Sequence, residues 1–111
     1  MAALTRLTYQ ILLALADGDR HGYGIIKEIE SRAGPSSAPS TGALYLALQR
    51  MEAEGMVAEA PERPVQRDDD ARRRYYRLTS HGRVLAEEES ARLAALVRTA
   101  RRKKLLVEGG V

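Results

Sequence analysis

Residues 40–57 read Ser40-Thr41-Gly42-Ala43-Leu44-Tyr45-Leu46-Ala47-Leu48-Gln49-Arg50-Met51-Glu52-Ala53-Glu54-Gly55-Met56-Val57, and the fold turns on this stretch. Ser40 is a natural N-cap, because its hydroxyl can accept from a free N–H of the first helical turn. Gly55 is the natural stop, since glycine tolerates the left-handed closing turn. The helix so bounded runs roughly from Thr41 to Glu54. Leu44, Ala47, Leu48 and Met51 share one face, which must be the core side. The opposite face carries Gly42, Tyr45, Leu46, Gln49 and Arg50. That face mixes hydrogen-bonding groups with an apolar side chain suited to a thymine methyl. Ser40 and Thr41 stand at its N-terminal end, where unpaired backbone N–H groups attract phosphate.

Upstream, Leu4, Leu7, Thr8, Ile11, Leu12 and Leu15 form one helical stripe, stopped by Asp17-Gly18-Asp19. A second helical pattern starts near His21-Gly22 and carries Tyr23, Ile25, Ile26, Ile29 and Ala33. Gly34 to Pro39 is a loop, with two prolines and small polar residues. Downstream the period changes. Met56 to Ala60 reads as a short strand closed by Pro61, and Arg74 to Thr79 as a better one rich in aromatic and branched residues. The polar stretch between them, Pro64 to Arg73, holds Asp68-Asp69-Asp70 and forms the tip of a hairpin. Thr79 caps a last helix reaching about Lys104 and ended by the Gly109-Gly110 tail.

This order predicts a mainly α fold with a small β-hairpin, a winged helix-turn-helix with a C-terminal dimerisation helix. Residues 1–79 are the expected DNA-binding domain, 80–104 the dimerisation helix and 105–111 a flexible tail. In such a module the third helix enters the major groove and the hairpin, or wing, lies across the backbone.

Charge agrees with an anionic partner. The 111 residues hold 18 Lys or Arg and 15 Asp or Glu, a formal +3. Residues 1–62 carry 5 basic and 8 acidic groups (−3), whereas residues 63–111 carry 13 and 7 (+6). Arg63, Arg67, Arg72, Arg73 and Arg74 cluster on or beside the hairpin, and guanidinium forks suit phosphate. The expected DNA contacts are Tyr23, Ser40, Thr41, Gly42, Tyr45, Gln49, Arg50, Arg72, Arg73 and Arg74. Asp68, Asp69 and Asp70 oppose the wing arginines and temper their field.

Other classes find little support. The absence of Cys excludes disulfides, thiolate metal sites and thiol nucleophiles. No Ser-His-Asp spacing, glycine-rich phosphate loop or paired metal ligands argue for an enzyme, and His21 and His81 read as capping or turn residues. No cofactor is expected. No apolar run approaches the ~18 residues of a membrane span, and the N-terminus lacks signal-peptide features, so a cytoplasmic location is expected.

Along the last helix, Leu85, Ala86, Leu93, Leu96, Val97 and Ala100 form a broken apolar stripe. Three short helices would not cover it, which points to a homodimer through Leu85, Leu93, Leu96, Val97 and Ala100.

Four motifs in order, His21-Gly22-Tyr23-Gly24-Ile25-Ile26-Lys27-Glu28-Ile29, Thr41 to Leu48, Glu54-Gly55-Met56-Val57, and Arg74 to Thr79 with Gly82, resemble the PadR family of bacterial transcriptional regulators. The resemblance runs from about Leu4 to Arg98. It implies a winged helix-turn-helix, a homodimer through the last helix, repression at a pseudo-palindromic operator, and release by a small hydrophobic or phenolic effector. The family often has proline where Thr41 stands and a hydroxyl residue where Ala43 stands, which points to a different operator sequence. A winged-helix protein-interaction module without DNA binding is the alternative, and it predicts an acidic or apolar outer face on the third helix.

Overall fold

The computed structural model describes residues 4–60 and 74–107. Its elements are α1 (Arg6–Leu15), β1 (Arg20–His21), α2 (Gly22–Ala33), a 3-10 turn (Pro35–Ser37), α3 (Thr41–Ala53), β2 (Val57–Glu59), β3 (Tyr75–Leu78) and α4 (Ser80–Arg102). Each α-helix opens on a side-chain cap. Thr5, His21, Ser40 and Thr79 accept from the N–H of Thr8, Gly24, Ala43 and Gly82 at 3.1, 3.0, 3.1 and 2.9 Å. A cap of this kind is worth about 1 kcal/mol, so four together fix where the helices begin. Gly55, at φ +79°, turns the chain out of α3 into β2.

The two strands of the expected hairpin, β2 and β3, pair antiparallel, and β1 adds a third strand to give a sheet in the order β1-β3-β2. Arg20 pairs with Tyr76 and His21 with Tyr75, while Val57 pairs with Leu78 and Glu59 with Tyr76. Two-residue β1 is too short to show an alternating pattern, so only its partner reveals it. Tyr76 points inward at 4% exposure and Tyr75 is half-buried, as alternation on a strand requires.

The core lies where α1, α2 and α3 meet the sheet. Ile11, Leu12, Ile25, Ile29, Leu44, Leu48 and Met51 are fully buried, and Met56, Val57 and Tyr76 close the sheet side. All four core positions read on α3, Leu44, Ala47, Leu48 and Met51, are buried.

Helix α4 has two environments. Its first turns pack on the head through Gly82, Leu85 and Glu89, its buried residues. Tyr9 and Ser90 hydroxyls meet at 2.6 Å, and Arg83 donates to the Ala16 carbonyl at 3.1 Å. Leu85, grouped with the uncovered stripe by spacing alone, is a correction: it is only 8% exposed and belongs to the core. Beyond Ser90 the helix projects without burying any side chain, leaving Leu96 and Val97 54% and 44% exposed and Leu93 and Ala100 half-buried. The helix stops at Arg102, and the left-handed residue after it is Lys104, at φ 62°. Gly109 and Gly110, assigned that role from sequence, lie outside the described residues.

Glu89 is a charged residue within this packing. It accepts two hydrogen bonds from Arg92, one of them from Nε at 3.2 Å. Those bonds hold its carboxyl below the usual carboxylate range, against the opposing pull of burial, with the Leu4 backbone N–H adding to the effect. A depressed folded-state pKa stabilises the fold above the unfolded value of ~4.3, and that stability is lost as pH falls through the folded value. Glu89→Gln is therefore expected to flatten the acid limb of a plot of melting temperature against pH while changing little of its shape near neutrality. An acid limb identical to the parent's would refute this role.

Candidate nucleic-acid interface

The outer face of α3 is uncovered. Thr41, Gly42, Tyr45, Leu46 and Gln49 are exposed, with Tyr45 at 44% and Leu46 at 68%. The Ser40 hydroxyl takes the Ala43 N–H and the Ser40 carbonyl takes the Leu44 N–H. The N–H groups of Thr41 and Gly42 precede the intrahelical ladder and face outward as donors. A Cβ placed on Gly42 would meet nothing within 4 Å, so a flat ligand surface could approach the backbone there.

Tyr45 does not simply stand in solvent. A Cβ built on Gly22 would lie 2.2 Å from its hydroxyl oxygen and 2.6 Å from Cζ, so the ring lies directly across the start of α2. Next to that contact Tyr23 is 57% exposed, with Lys27 Nζ 5.4 Å from its ring centroid. The Tyr23 hydroxyl and, after it, Glu30 raise the Lys27 pKa, so the ammonium stays charged. The His21 ring stacks parallel to Tyr23 at 6.4 Å and meets Tyr75 of β3 edge-on at 5.2 Å. Arg74 follows at the root of the wing, its side chain 70% exposed and 3.9 Å from Glu59. Tyr45 thus packs on Gly22, the residue before Tyr23, while the His21 ring touches both Tyr23 and Tyr75, the residue after Arg74.

Arg50 sits at the margin. It is exposed, but its Nη2 lies 3.5 Å from the Thr8 hydroxyl of α1. Arg63, Arg67, Arg72, Arg73 and the triplet Asp68-Asp69-Asp70 lie outside the described residues. Beneath the surface, burial first and Glu52 second push the Tyr76 phenol pKa up, so it stays neutral. Among the described residues no group of three or more His, Asp or Glu side chains could hold a metal ion. None of the described helices is long and apolar enough to cross a membrane.

The family model described as the transcriptional regulator PadR-like family matches residues 11–88. The chain belongs to the PadR-like family of transcriptional regulators. It is 42% identical over 86 residues to an uncharacterised 37.1 kDa protein in transposon TN4556 of Streptomyces fradiae, covering 78% of this chain and 22% of that one. The chain thus spans about a fifth of that relative's length. It is 36% identical over 78 residues to an uncharacterised protein X of Lysinibacillus sphaericus, covering 70% of this chain and 69% of the other. In fold it is similar to a PadR family transcription regulator from Clostridium difficile R20291, with a TM-score of 0.75, 24% identity, and coverage of 88% and 97% of the two chains. Members of this family and its structural neighbours are transcriptional regulators rather than enzymes.

In this PadR-like chain several positioning residues escape a sequence reading. Gly22 matters because it lets Tyr45 settle, a contact between two helices that no local pattern announces. Arg20 ties the α1–α2 turn together, donating to the Ala14 carbonyl at 2.8 Å and pairing with Asp17 and Glu28 at 3.4 and 3.7 Å. Arg77 of β3 reaches Asp19 at 3.4 Å, fixing the wing root to the same turn. The Thr79 hydroxyl caps α4 and also donates toward the carbonyls of Gly55 and Met56, at 2.6 and 2.9 Å. The charge alternation near Asp17–Arg20 was the one available signal for the first of these networks.

Proposed function

We propose that this PadR-like regulator binds double-stranded DNA sequence-specifically as a homodimer and acts as a repressor. Residues 1–79 form the DNA-binding head and 80–104 the dimerisation helix. Helix α3 enters the major groove, where Tyr45, Leu46 and Gln49 face base edges and the N-terminal N–H groups of Thr41 and Gly42 meet phosphate. Tyr23, Arg74 and the wing arginines Arg72 and Arg73 supply phosphate contacts on either side, with Arg50 at the α1 edge. The observation that carries this reading is the uncovered outer face of α3, with Tyr23 and Arg74 also exposed. Two-fold symmetry places the half-sites about one helical turn, roughly 10 bp, apart on a pseudo-palindrome. A small hydrophobic or phenolic effector releases the dimer.

Gly42→Ala tests the approach of the backbone to DNA. The added methyl meets nothing in the free protein, so stability should hold or rise by up to about 0.5–1 kcal/mol, the usual gain for alanine over glycine in a helix. The same methyl would stand between α3 and a phosphate, so fluorescence anisotropy on a duplex selected from a random library should show weaker binding. Unchanged affinity in a folded Gly42→Ala protein would remove the N-terminus of α3 from the interface.

A further inference from the structure

Leu46 is a large apolar side chain that the fold does not use. It is 68% exposed, and among the described residues only Leu105 and Val107, beyond the end of α4, are more exposed apolar side chains of that size. The core face of α3 is complete without it, because Leu44, Ala47, Leu48 and Met51 supply the buried contacts. Its neighbours lean away. The Tyr45 ring lies across the start of α2 at Gly22, and Arg50 reaches back to the Thr8 hydroxyl of α1 at 3.5 Å. One turn earlier Gly42 has no side chain, and a Cβ there would meet nothing within 4 Å. Leu46 and Gln49, three residues apart, are therefore left as the forward groups of the exposed face. From Ser40 to Met51 there is no Asp or Glu to oppose a groove lined by phosphates.

We propose that Leu46 reads the C5-methyl group of a thymine in each operator half-site. The inference rests on α3 as the helix that enters the major groove, and it names a base that this helix selects there. In that groove thymine presents an apolar methyl, whereas guanine, adenine and cytosine present hydrogen-bond donors and acceptors. A leucine set against those three would take their polar groups out of water and return no hydrogen bond. Against the thymine methyl it buries apolar surface on both sides. Gln49 has the complementary chemistry, since its amide can pair with N6 and N7 of adenine. Leu46 thus selects by a methyl and Gln49 by hydrogen bonds. 5-Methylcytosine carries the same methyl at the same ring position, so it satisfies Leu46 where cytosine does not. Affinity for an operator with cytosine at that position therefore rises when the cytosine is methylated at C5.

The test uses the whole chain and the duplex that it enriches from a random library, with affinities measured by fluorescence anisotropy at one salt concentration. Each thymine of a half-site is replaced singly by deoxyuridine, which removes only the methyl. At one position affinity is expected to fall about fourfold, the equivalent of ~0.8 kcal/mol for one buried carbon group. Cytosine at that position should bind more weakly than 5-methylcytosine, again by about fourfold. Leu46→Gln, which keeps a good helix former of similar length, should bind the thymine and deoxyuridine duplexes equally. Leu46→Met should keep the difference between them. Both substitutions are at an exposed position, so melting temperatures near the parent's report that the variants are folded. Indifference of the parent to deoxyuridine at every half-site position would overturn the inference and leave the DNA reading intact. A thymine preference that survives Leu46→Gln would do the same. A chain that enriches no duplex would overturn both, and would leave Leu46 to a protein partner.

Discussion

A Gly82→Ala protein is expected to lose about 3 kcal/mol of stability, enough to lower its melting temperature by ~10–20 °C in a domain of this size. The new Cβ would lie 2.1 Å from the Met56 carbonyl oxygen and 3.0 Å from its carbon, and neither is the end of a flexible side chain. That carbonyl is held in place. It accepts from the Thr79 hydroxyl at 2.9 Å and the Thr79 N–H at 3.1 Å, while the Met56 N–H donates to Met51 at 2.9 Å. Relief therefore requires α4 to move away from the sheet, which pulls Leu85 from the core. Gly24→Ala is the control, since its Cβ makes only ordinary contacts, the nearest at 3.6 Å to Arg20 Cβ. Thermal melts should separate the two substitutions clearly. Equal melting temperatures would show that the α4–β2 approach is not tight.

The second large effect concerns assembly. Replacing Leu96 and Val97 together by Asp is expected to leave the head folded, because both side chains are exposed and lie beyond the last buried residue of α4. Burying four new carboxylates in a two-fold interface, two per subunit, carries a desolvation and repulsion penalty that the apolar stripe cannot offset. Sedimentation equilibrium should find a monomer where the parent is a dimer. Affinity for a two-half-site duplex should fall by roughly 10²-fold or more, the loss that follows when two linked contacts become one. A double variant that remains dimeric would place the interface elsewhere.

Much of this was legible because it is local. Helix α3, its Ser40 cap and its four core residues follow from spacing and one hydroxyl, and the structure places them as read. The same holds for the Thr79 cap. What was not legible depends on contacts between distant segments. Strand β1 exists only through pairing with Tyr75 and Tyr76, more than fifty residues later. Leu85 looks like part of an exposed stripe until α1 is seen packed over it, and the uncovered surface of α4 begins only after Ser90. Spacing put Tyr45 on the outer face of α3, but its fit against Gly22 needed two helices in place. Arg50 likewise looked outward from its own helix, whereas Thr8 draws it toward α1.

The most direct measurement of the central claim is selection of bound duplexes from a random library, carried out in parallel with the parent chain and with Gln49→Ala. The parent should enrich a two-fold symmetric sequence with half-site centres about 10 bp apart. The Gln49→Ala protein should keep that spacing and symmetry but lose preference at one base pair in each half-site, at roughly 1–3 kcal/mol per lost base contact. Enrichment of the same sequence by both proteins, or of no symmetric sequence by the parent, would contradict the assignment of α3 as the helix that reads DNA.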